Sequence, residues 1–170
     1  MHTRPNPDEA FEYYWVYINQ VEGDDVLSTL ARQTSEVLAF AKTVTEERST
    51  YRYAPGKWSI REVLNHMADT ERAFAFRALW FARGFTDPLP GYDQNIAIAG
   101  SGANNRPWAS HVEDFVAVRA ATMTLFQTVP AEAWSRRGIA SGKEFSVRAM
   151  AYIAAGHVAH DLRICREKYS

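Results

Sequence analysis

The sequence has one cysteine and no long apolar run. With Cys165 alone, an internal disulfide cannot form, and a zinc site made of several thiolates is excluded. The N-terminal residues MHTRPNPDEAFEYYW contain no basic segment followed by an apolar core, and no later run approaches the ~20 apolar residues that a membrane span requires. These absences predict a soluble, cytoplasmic protein with no membrane partner, in which Cys165 is a buried core residue.

Neither sign of charge is in excess. The chain carries 19 Lys and Arg residues against 20 Asp and Glu residues, which gives a formal net charge of −1 at pH 7. Such a balance produces no field strong enough to attract nucleic acid or an anionic membrane by charge alone. We therefore expect no nucleic-acid partner and a small-molecule substrate that is recognised by shape and site chemistry.

The length of the chain and the spacing of its apolar residues predict one helical domain. A length of 170 residues lies within the usual range of a single domain, here residues 1–170. Apolar residues recur at helical spacing, and no convincing alternating strand pattern is present. We expect an all-α fold, a four-helix bundle with a short extra N-terminal helix. The predicted helices span residues 8–20, 24–44, 59–84, 110–129 and 146–169.

Local signals mark several of these boundaries. Asp8 is the expected N-cap of the short helix. Capping boxes at Ser59-Ile60-Arg61-Glu62 and Ser110-His111-Val112-Glu113 predict the starts of two long helices. Gly84 and Pro130 follow the expected ends of these helices, because glycine and proline both favour helix termination.

The segment between residues 86 and 107 is rich in turn-forming residues. It contains PLPGYDQNIAIAGSGANNRP, and a loop of this length inside a compact domain is usually functional or mobile. We predict a loop that covers a site. Tyr92, Asp93 and Asn95 are its candidates for contact with a substrate.

Two polar residues interrupt the apolar row of the last helix. Within the row between Val147 and Ile164, His157 and Asp161 are one turn apart and project from the same face, so both can reach one ion. Asp161 lies near the centre of that face, whereas His160 lies about a quarter-turn away. Because an unpaired carboxylate in a bundle interior is costly, the helix is expected to supply a cationic partner.

His66 is the expected third metal ligand. It lies on the flank of the apolar face of the second long helix, where it can point to a neighbouring helix. Two imidazoles and one carboxylate suit a divalent ion, with zinc or nickel as the first candidates and iron or manganese as further ones. Glu71, about one and a half turns beyond His66, is the candidate catalytic residue that orients a ligand or relays a proton.

Spacing alone leaves other interpretations open. A lone histidine on an apolar helical face is more often a hydrogen-bonded core residue than a ligand. Asp161 has Arg77 and Arg163 as alternative partners. His2 and His111 are expected to be exposed and to take no part in chemistry.

Two long motifs resemble those of the DinB superfamily, whose members include metalloenzymes. The run YAPGKWSIREVLNHMADTER, residues 53–72, resembles the family signature, and GHVAHDLR, residues 156–163, resembles its C-terminal metal helix. With PLPGYD and the helix around Arg119-Ala120, the resemblance extends over most of the chain. It implies a four-helix bundle with an up-down-down-up arrangement that is often dimeric.

The resemblance also implies a ligand set and a class of chemistry. The family's three histidines correspond to His66, His157 and position 161, where this chain has Asp161, so the charge of the site differs and His160 is an alternative ligand. Some relatives transfer or isomerise groups with a low-molecular-weight thiol. We expect a metal-dependent hydrolase or thiol-dependent S-transferase. The alternative is a non-catalytic stress-response or binding bundle with a structural or absent metal.

Overall fold

Residues 3–169, which the computed structural model of the chain describes, form six α-helices and one β-hairpin. His2, which was expected to be exposed, lies outside these residues. None of the described helices combines the length and the hydropathy needed to cross a bilayer. The helices are α1 (Trp15–Ile18), α2 (Val26–Ala41), α3 (Ile60–Ala82), α4 (Gln94–Ser101), α5 (Trp108–Gln127) and α6 (Val147–Lys168), and the strands are β1 (Arg137–Ala140) and β2 (Lys143–Ser146).

The long helices α3 and α6 pack against each other in opposite directions. The hydroxyl of Tyr169, just after α6, donates a hydrogen bond of 2.7 Å to the carbonyl oxygen of Trp58, just before α3. Further along α3, the Phe74 ring lies 5.8 Å from the ring of His157. His157 precedes Tyr169 by twelve residues, so moving forward along α3 means moving backward along α6. The order of these contacts makes the pair antiparallel.

The helices α3 and α5 run in the same direction. Asn65 contacts Arg106, just before α5, at 3.5 Å, and about two turns later Arg72 contacts Asp114. Residue numbers therefore rise together along both helices. Residues 83–107 make the long connection that returns the chain to the starting end of the bundle, as a parallel neighbour requires.

The helix α2 is parallel to α6, which completes the bundle. Gln33 Nε2 donates to the carbonyl oxygen of Ala155 at 2.7 Å, and Arg48, after α2, donates to the carbonyl oxygen of Tyr169, after α6. Since α6 is antiparallel to α3, and α3 is parallel to α5, the four long helices run up, down, down and up. The predicted four-helix bundle is confirmed.

A buried polar network joins all four long helices. Arg119 on α5 donates from Nε and Nη2 to the two carboxylate oxygens of Glu71 on α3, at 2.7 Å each. Its Nη1 donates to the carbonyl oxygen of Leu30 at 2.7 Å and to Gln33 Oε1 at 3.1 Å, both on α2. Gln33 in turn reaches Ala155 on α6. Such a network favours this arrangement of the helices, because an arrangement that separated the buried charges would leave them unpaired. Removing one partner of such a pair costs about 3–5 kcal/mol.

The second and last long helices begin and end where the sequence predicts. Ser59 Oγ accepts from the Glu62 amide at 3.2 Å, and Glu62 Oε2 accepts from the Ser59 amide at 2.7 Å, so the capping box is formed. Ser146 Oγ caps α6 by accepting from the Ala149 amide at 2.9 Å. The helix α3 ends at Ala82, shortly before Gly84.

The predicted start of α5 is wrong. The helix begins at Trp108, directly after Pro107, and Ser110 lies inside its first turn, where its hydroxyl donates to the carbonyl oxygen of Pro107 at 2.8 Å. Proline favours a helix start because its φ angle is already helical. His111 is buried rather than exposed, and its Nε2 lies 2.9 Å from the carbonyl oxygen of Ala103.

The N-terminal segment is not one continuous helix. Two 3₁₀ turns, Pro7–Glu9 and Glu12–Tyr14, precede the short helix α1, and Ala10 between them is extended. Asn6, not Asp8, stands at the N-cap of the first turn. The expected extra N-terminal helix is therefore reduced to a single α-helical turn.

The expected loop over residues 86–107 contains the helix α4. Asp93 Oδ1 accepts from the amides of Asn95 at 2.8 Å and Ile96 at 3.2 Å, and Gly102 ends the helix with a left-handed φ of 61°. An aspartate N-cap and a glycine just after the last turn are standard helix signals. They were present in the sequence, within a segment otherwise rich in turn formers.

The sequence contains no convincing strand pattern, but the helical fold includes one small β-hairpin. β1 and β2 pair antiparallel through a two-residue turn, Ser141-Gly142, whose φ angles of 54° and 71° fit a type I′ hairpin. Each strand has only four residues, too few for a clear alternating pattern. The hairpin leads directly into α6, since Ser146 is both the last strand residue and the cap of the helix.

Candidate metal centre

Three side chains from α3 and α6 converge inside the bundle. His66 Nε2 lies 3.0 Å from His157 Nε2 and 3.7 Å from Asp161 Oδ2, and His157 Nε2 lies 3.5 Å from the same carboxylate oxygen. Among residues 3–169 these side chains form a group whose donor atoms are close enough to hold one metal ion. The structure brings together the three residues that the sequence predicted as ligands.

The donor set fits a divalent ion. Asp161 Oδ2 is buried and has no hydrogen-bond partner within the described part of the chain. Leaving such an oxygen unpaired costs about 1–3 kcal/mol, and more when it is charged. A tetrahedral ion with bonds of about 2.0–2.1 Å holds its ligand atoms roughly 3.3–3.4 Å apart. The three distances lie close to that spacing, so a cation would satisfy the orphaned oxygen.

Burial sets the protonation of the three groups. It lowers the pKa of His157 to about 3 and, together with the nearby His157, lowers the pKa of His66 to about 4. Burial raises the pKa of Asp161 to about 6, against an opposing effect of His66 and His160. Near neutral pH the imidazoles are neutral and the carboxylate is mostly ionised, which are the forms that bind metal.

Neighbouring side chains orient the two imidazoles. His66 Nδ1 lies 3.1 Å from Thr70 Oγ1, and the ring of Trp58 lies 4.8 Å from the His66 ring. Tyr17 lies 5.4 Å from the ring of His157. The Thr70 hydrogen bond engages Nδ1, so Nε2 is the nitrogen of His66 that faces His157 and Asp161. The sequence argument missed all three residues, although Thr70 is one helical turn from His66.

A close backbone contact places Tyr17 beside the cluster. The short helix α1 packs on α6 at Gly156, where a Cβ atom would lie only 2.0 Å from the carbonyl oxygen of Tyr17. Glycine is therefore required at this position for α1 to approach α6 so closely. The approach covers the cluster on the side of His157.

The alternative ligand His160 and the alternative Asp161 partners Arg77 and Arg163 have other contacts. His160 Nδ1 is 3.1 Å from Gln20 Nε2, and His160 is not part of the three-residue group. Arg163 pairs with a glutamate one turn further along α6. Arg77 donates to a backbone carbonyl and a serine hydroxyl. The structure thus groups Asp161, rather than His160, with the two histidines.

Glu71 lies outside the three-residue group. Its carboxylate oxygens each accept a hydrogen bond from Arg119, and both side chains are about 1% exposed. This ion pair gives Glu71 a structural partner. Its expected role in orienting a ligand or relaying a proton stays a prediction.

Two cavities flank the cluster and share His66. The tryptophan cavity has a volume of about 300 Å³ and includes Asp161 in its wall; the arginine cavity has a volume of about 200 Å³ and includes His157. A molecule in either cavity would meet the cluster from a different side. The tryptophan cavity is lined by Tyr53, Gly56, Lys57, Trp58, Val63, His66, Asn95, Asp161, Ile164 and Tyr169. The arginine cavity is lined by Tyr13, Tyr14, Tyr17, His66, Thr70, Ala73, Phe74, Arg77, Tyr92, Gln94, Ser141 and His157.

The segment around α4 contributes to both cavities. Asn95 lines the tryptophan cavity and Tyr92 lines the arginine cavity, whereas the carboxylate of Asp93 caps α4. The prediction that this segment borders a site agrees with its position. Contact of these side chains with a substrate stays a prediction.

The fold is similar to that of two solved structures. One is YfiT from Bacillus subtilis, described as "a probable metal-dependent hydrolase with an unusual four-helix bundle topology", with a TM-score of 0.70, 14% identity, and coverage of 97% of this chain and 93% of that one. The other is a mycothiol-dependent maleylpyruvate isomerase, with a TM-score of 0.68 and 17% identity, where the match covers 81% of this chain and 59% of that one. At these identities the similarity establishes the fold alone.

The sequence itself matches a family model. A comparison with curated proteins finds no match. The model of the DinB superfamily matches residues 29–165, a span that contains His66, His157 and Asp161 together with most of the bundle. The chain therefore belongs to the DinB superfamily.

Proposed function

We propose that this protein is a metal-dependent enzyme that acts on a small molecule. His66, His157 and Asp161 would hold one divalent ion, with zinc or nickel as the first candidates and iron or manganese as further ones. The reaction would be hydrolysis, or transfer of a group to a low-molecular-weight thiol.

The orphaned Oδ2 atom of Asp161 is the observation that carries this proposal. It is buried, lacks a partner among the described residues, and lies within 3.7 Å of two imidazole nitrogens. Two neutral imidazoles and a carboxylate leave coordination positions for a further ligand. The cavities on both sides of His66 supply space for that ligand.

The side chains around the ion have separate tasks. A divalent ion supplies Lewis acidity, which makes water or a thiol a nucleophile near neutral pH. Burial keeps His66 and His157 unprotonated, and Thr70 holds the His66 ring in place. Burial and a hydrogen bond to Tyr13 raise the pKa of Tyr17, so its hydroxyl, in a residue that lines the arginine cavity, stays protonated.

The sizes of the cavities favour small substrates. Volumes of about 300 and 200 Å³ lie at or below the lower end of ordinary ligand sites. Water and a small thiol both fit this space, so both nucleophiles belong to the proposal. We further propose a cytoplasmic homodimer with no nucleic-acid or membrane partner.

Metal content tests the proposal most directly. We would measure it by elemental mass spectrometry on untagged protein, and compare the native chain with His157→Ala and Asp161→Ala. We expect close to one ion per native chain and loss of most of the metal in both variants. His160→Ala is the matched control on the same helix, and it should keep its metal.

Turnover distinguishes the two chemistries. Ester hydrolysis and transfer to an electrophile would be assayed with and without added thiol, for the loaded native chain and for folded His157→Ala. Metal that stays absent from the native chain, even after incubation with zinc, nickel and manganese, would contradict the proposal and favour the non-catalytic bundle.

A further inference from the structure

Arg77 has no acidic partner among the described residues, unlike the other two arginines that are buried there. Arg61, Arg77 and Arg119 are 7%, 6% and 1% exposed. Arg61 pairs with Glu46 and Arg119 with a buried glutamate, but no ion pair forms at Arg77 within residues 3–169. A buried guanidinium without an anion is costly, because its charge has lost water and gained no counter-charge.

The guanidinium of Arg77 has donors to spare. Its Nη2 donates to the carbonyl oxygen of Pro90 at 3.2 Å and to Ser141 Oγ at 3.1 Å. Nε and Nη1 donate to no group in the described part of the chain. Neither nitrogen is among the fully buried atoms that lack a hydrogen-bond partner, so neither is completely enclosed. Arg77 lines the arginine cavity, so a molecule bound there would lie beside its side chain.

The rest of the arginine cavity favours an anion. No Asp or Glu residue lines it, whereas the hydroxyl-bearing residues Thr70, Tyr92 and Ser141 do, and the Ser141 hydroxyl already accepts from Arg77. His66 and His157 border the same cavity. Residues 66 and 77 are on one face of α3 and roughly 16 Å apart along its axis, while the arginine side chain leans back towards the N-terminal end of the helix.

We propose that Arg77 forms the anion-binding end of the substrate site, and that the substrate is an elongated small molecule with a terminal carboxylate. Nε or Nη1 would donate a charge-assisted hydrogen bond to the carboxylate, which would also supply the missing counter-charge. The reacting end of the molecule would lie beside His66 and His157. That second part rests on the proposed function; the anion subsite itself does not.

The test is a titration with two probes, hexanoate and inorganic phosphate, followed by amide chemical shifts of the isotope-labelled protein. Arg77→Met should weaken hexanoate binding at least tenfold, and Arg77→Lys should weaken it less. Arg83→Met is the matched control, because Arg83 is an exposed arginine at the end of the same helix. It should bind hexanoate like the native chain.

The same titration on His157→Ala separates this proposal from the metal site. Hexanoate binding that still depends on Arg77 in that variant supports the anion subsite, whatever the metal content of the native chain. Equal hexanoate binding by the native chain and folded Arg77→Met would overturn it, and so would no binding by the native chain. Tighter, Arg77-dependent binding of phosphate would overturn the assignment to a carboxylate.

Discussion

At the scale of single residues, the pairing of Glu71 with Arg119 shows how a charged group is kept inside the bundle. Each carboxylate oxygen accepts one hydrogen bond of 2.7 Å, and the third nitrogen of Arg119 reaches Leu30 and Gln33. Both charges are matched, and all three nitrogens of Arg119 donate hydrogen bonds. Such a pair is costly to break on one side and much less costly to replace as a whole.

A double-mutant cycle tests this description. We expect Glu71→Leu and Arg119→Met each to lower the free energy of unfolding by about 3–5 kcal/mol, because each leaves a buried charge without its partner. The double variant should lose less than the sum of the two. Chemical denaturation measures all three, and additive losses would contradict the pairing.

The same double variant also tests the predicted catalytic role of Glu71. If the carboxylate serves only the ion pair, a folded double variant keeps its metal and its metal-dependent turnover. Loss of turnover with intact metal content would favour the proton relay. A purely structural role and a catalytic role of Glu71 therefore predict different turnover in the double variant.

At the scale of elements, the contact between α1 and α6 depends on Gly156, which has no side chain. A methyl group at position 156 would overlap the carbonyl oxygen of Tyr17, at 2.0 Å. The overlap is with the backbone, so a change of rotamer cannot relieve it. Any larger residue must push α1 away from the cluster.

Gly156→Ala should therefore destabilise the protein, by about 1–3 kcal/mol as is usual for overpacking. Thermal and chemical unfolding measure the loss. Gly100→Ala is the matched control, because Gly100 is also helical and nothing lies within 4 Å of its added Cβ. That substitution should be neutral or stabilising by up to about 1 kcal/mol. Equal effects of the two changes would contradict the close contact.

The elements that the sequence predicted well are those with local signals. The capping box at Ser59 and the apolar periodicity of the long helices depend on neighbours in sequence, and both are formed in the structure. The helix α4 was missed because its Asp93 and Gly102 signals stand in a segment rich in turn formers, and the β-hairpin was missed because its strands have only four residues each. At α5, the proline before Trp108 prevailed over the capping pattern that begins at Ser110.

The candidate site was predictable in its ligands but not in its surroundings. His157 and Asp161 are one helical turn apart, so their shared face follows from sequence spacing. Trp58 and Tyr17 reach the cluster from other parts of the chain. Arg77 shares a helix with His66, but its missing counter-ion is visible only after the whole bundle has been assembled.

At the scale of the molecule, a metal ion would link α3 to α6 and stabilise the whole bundle. A ligand that binds only the folded chain, at about 100 times its dissociation constant, adds about 2.7 kcal/mol to the free energy of unfolding. For a chain of this size, each kcal/mol raises Tm by about 2–4 °C. Zinc or nickel should therefore raise the Tm of the native chain, and a chelator should reverse the change.

Differential scanning calorimetry measures this shift. His157→Ala should show little or none of it, while His160→Ala should respond like the native chain. An equal shift in His157→Ala would point to binding elsewhere on the protein. No shift in the native chain would mean that no ion is bound under those conditions.

The distance along the chain between the two histidines has a kinetic consequence. His66 and His157 are separated by 91 positions, and the intervening chain includes α4, α5 and the hairpin. Closing so large a loop costs conformational entropy before any contact across it forms. An ion held by both histidines would therefore be captured only after α3 and α6 have docked. In a refolding experiment, the rate of metal uptake would report the final assembly of the bundle rather than the formation of its helices.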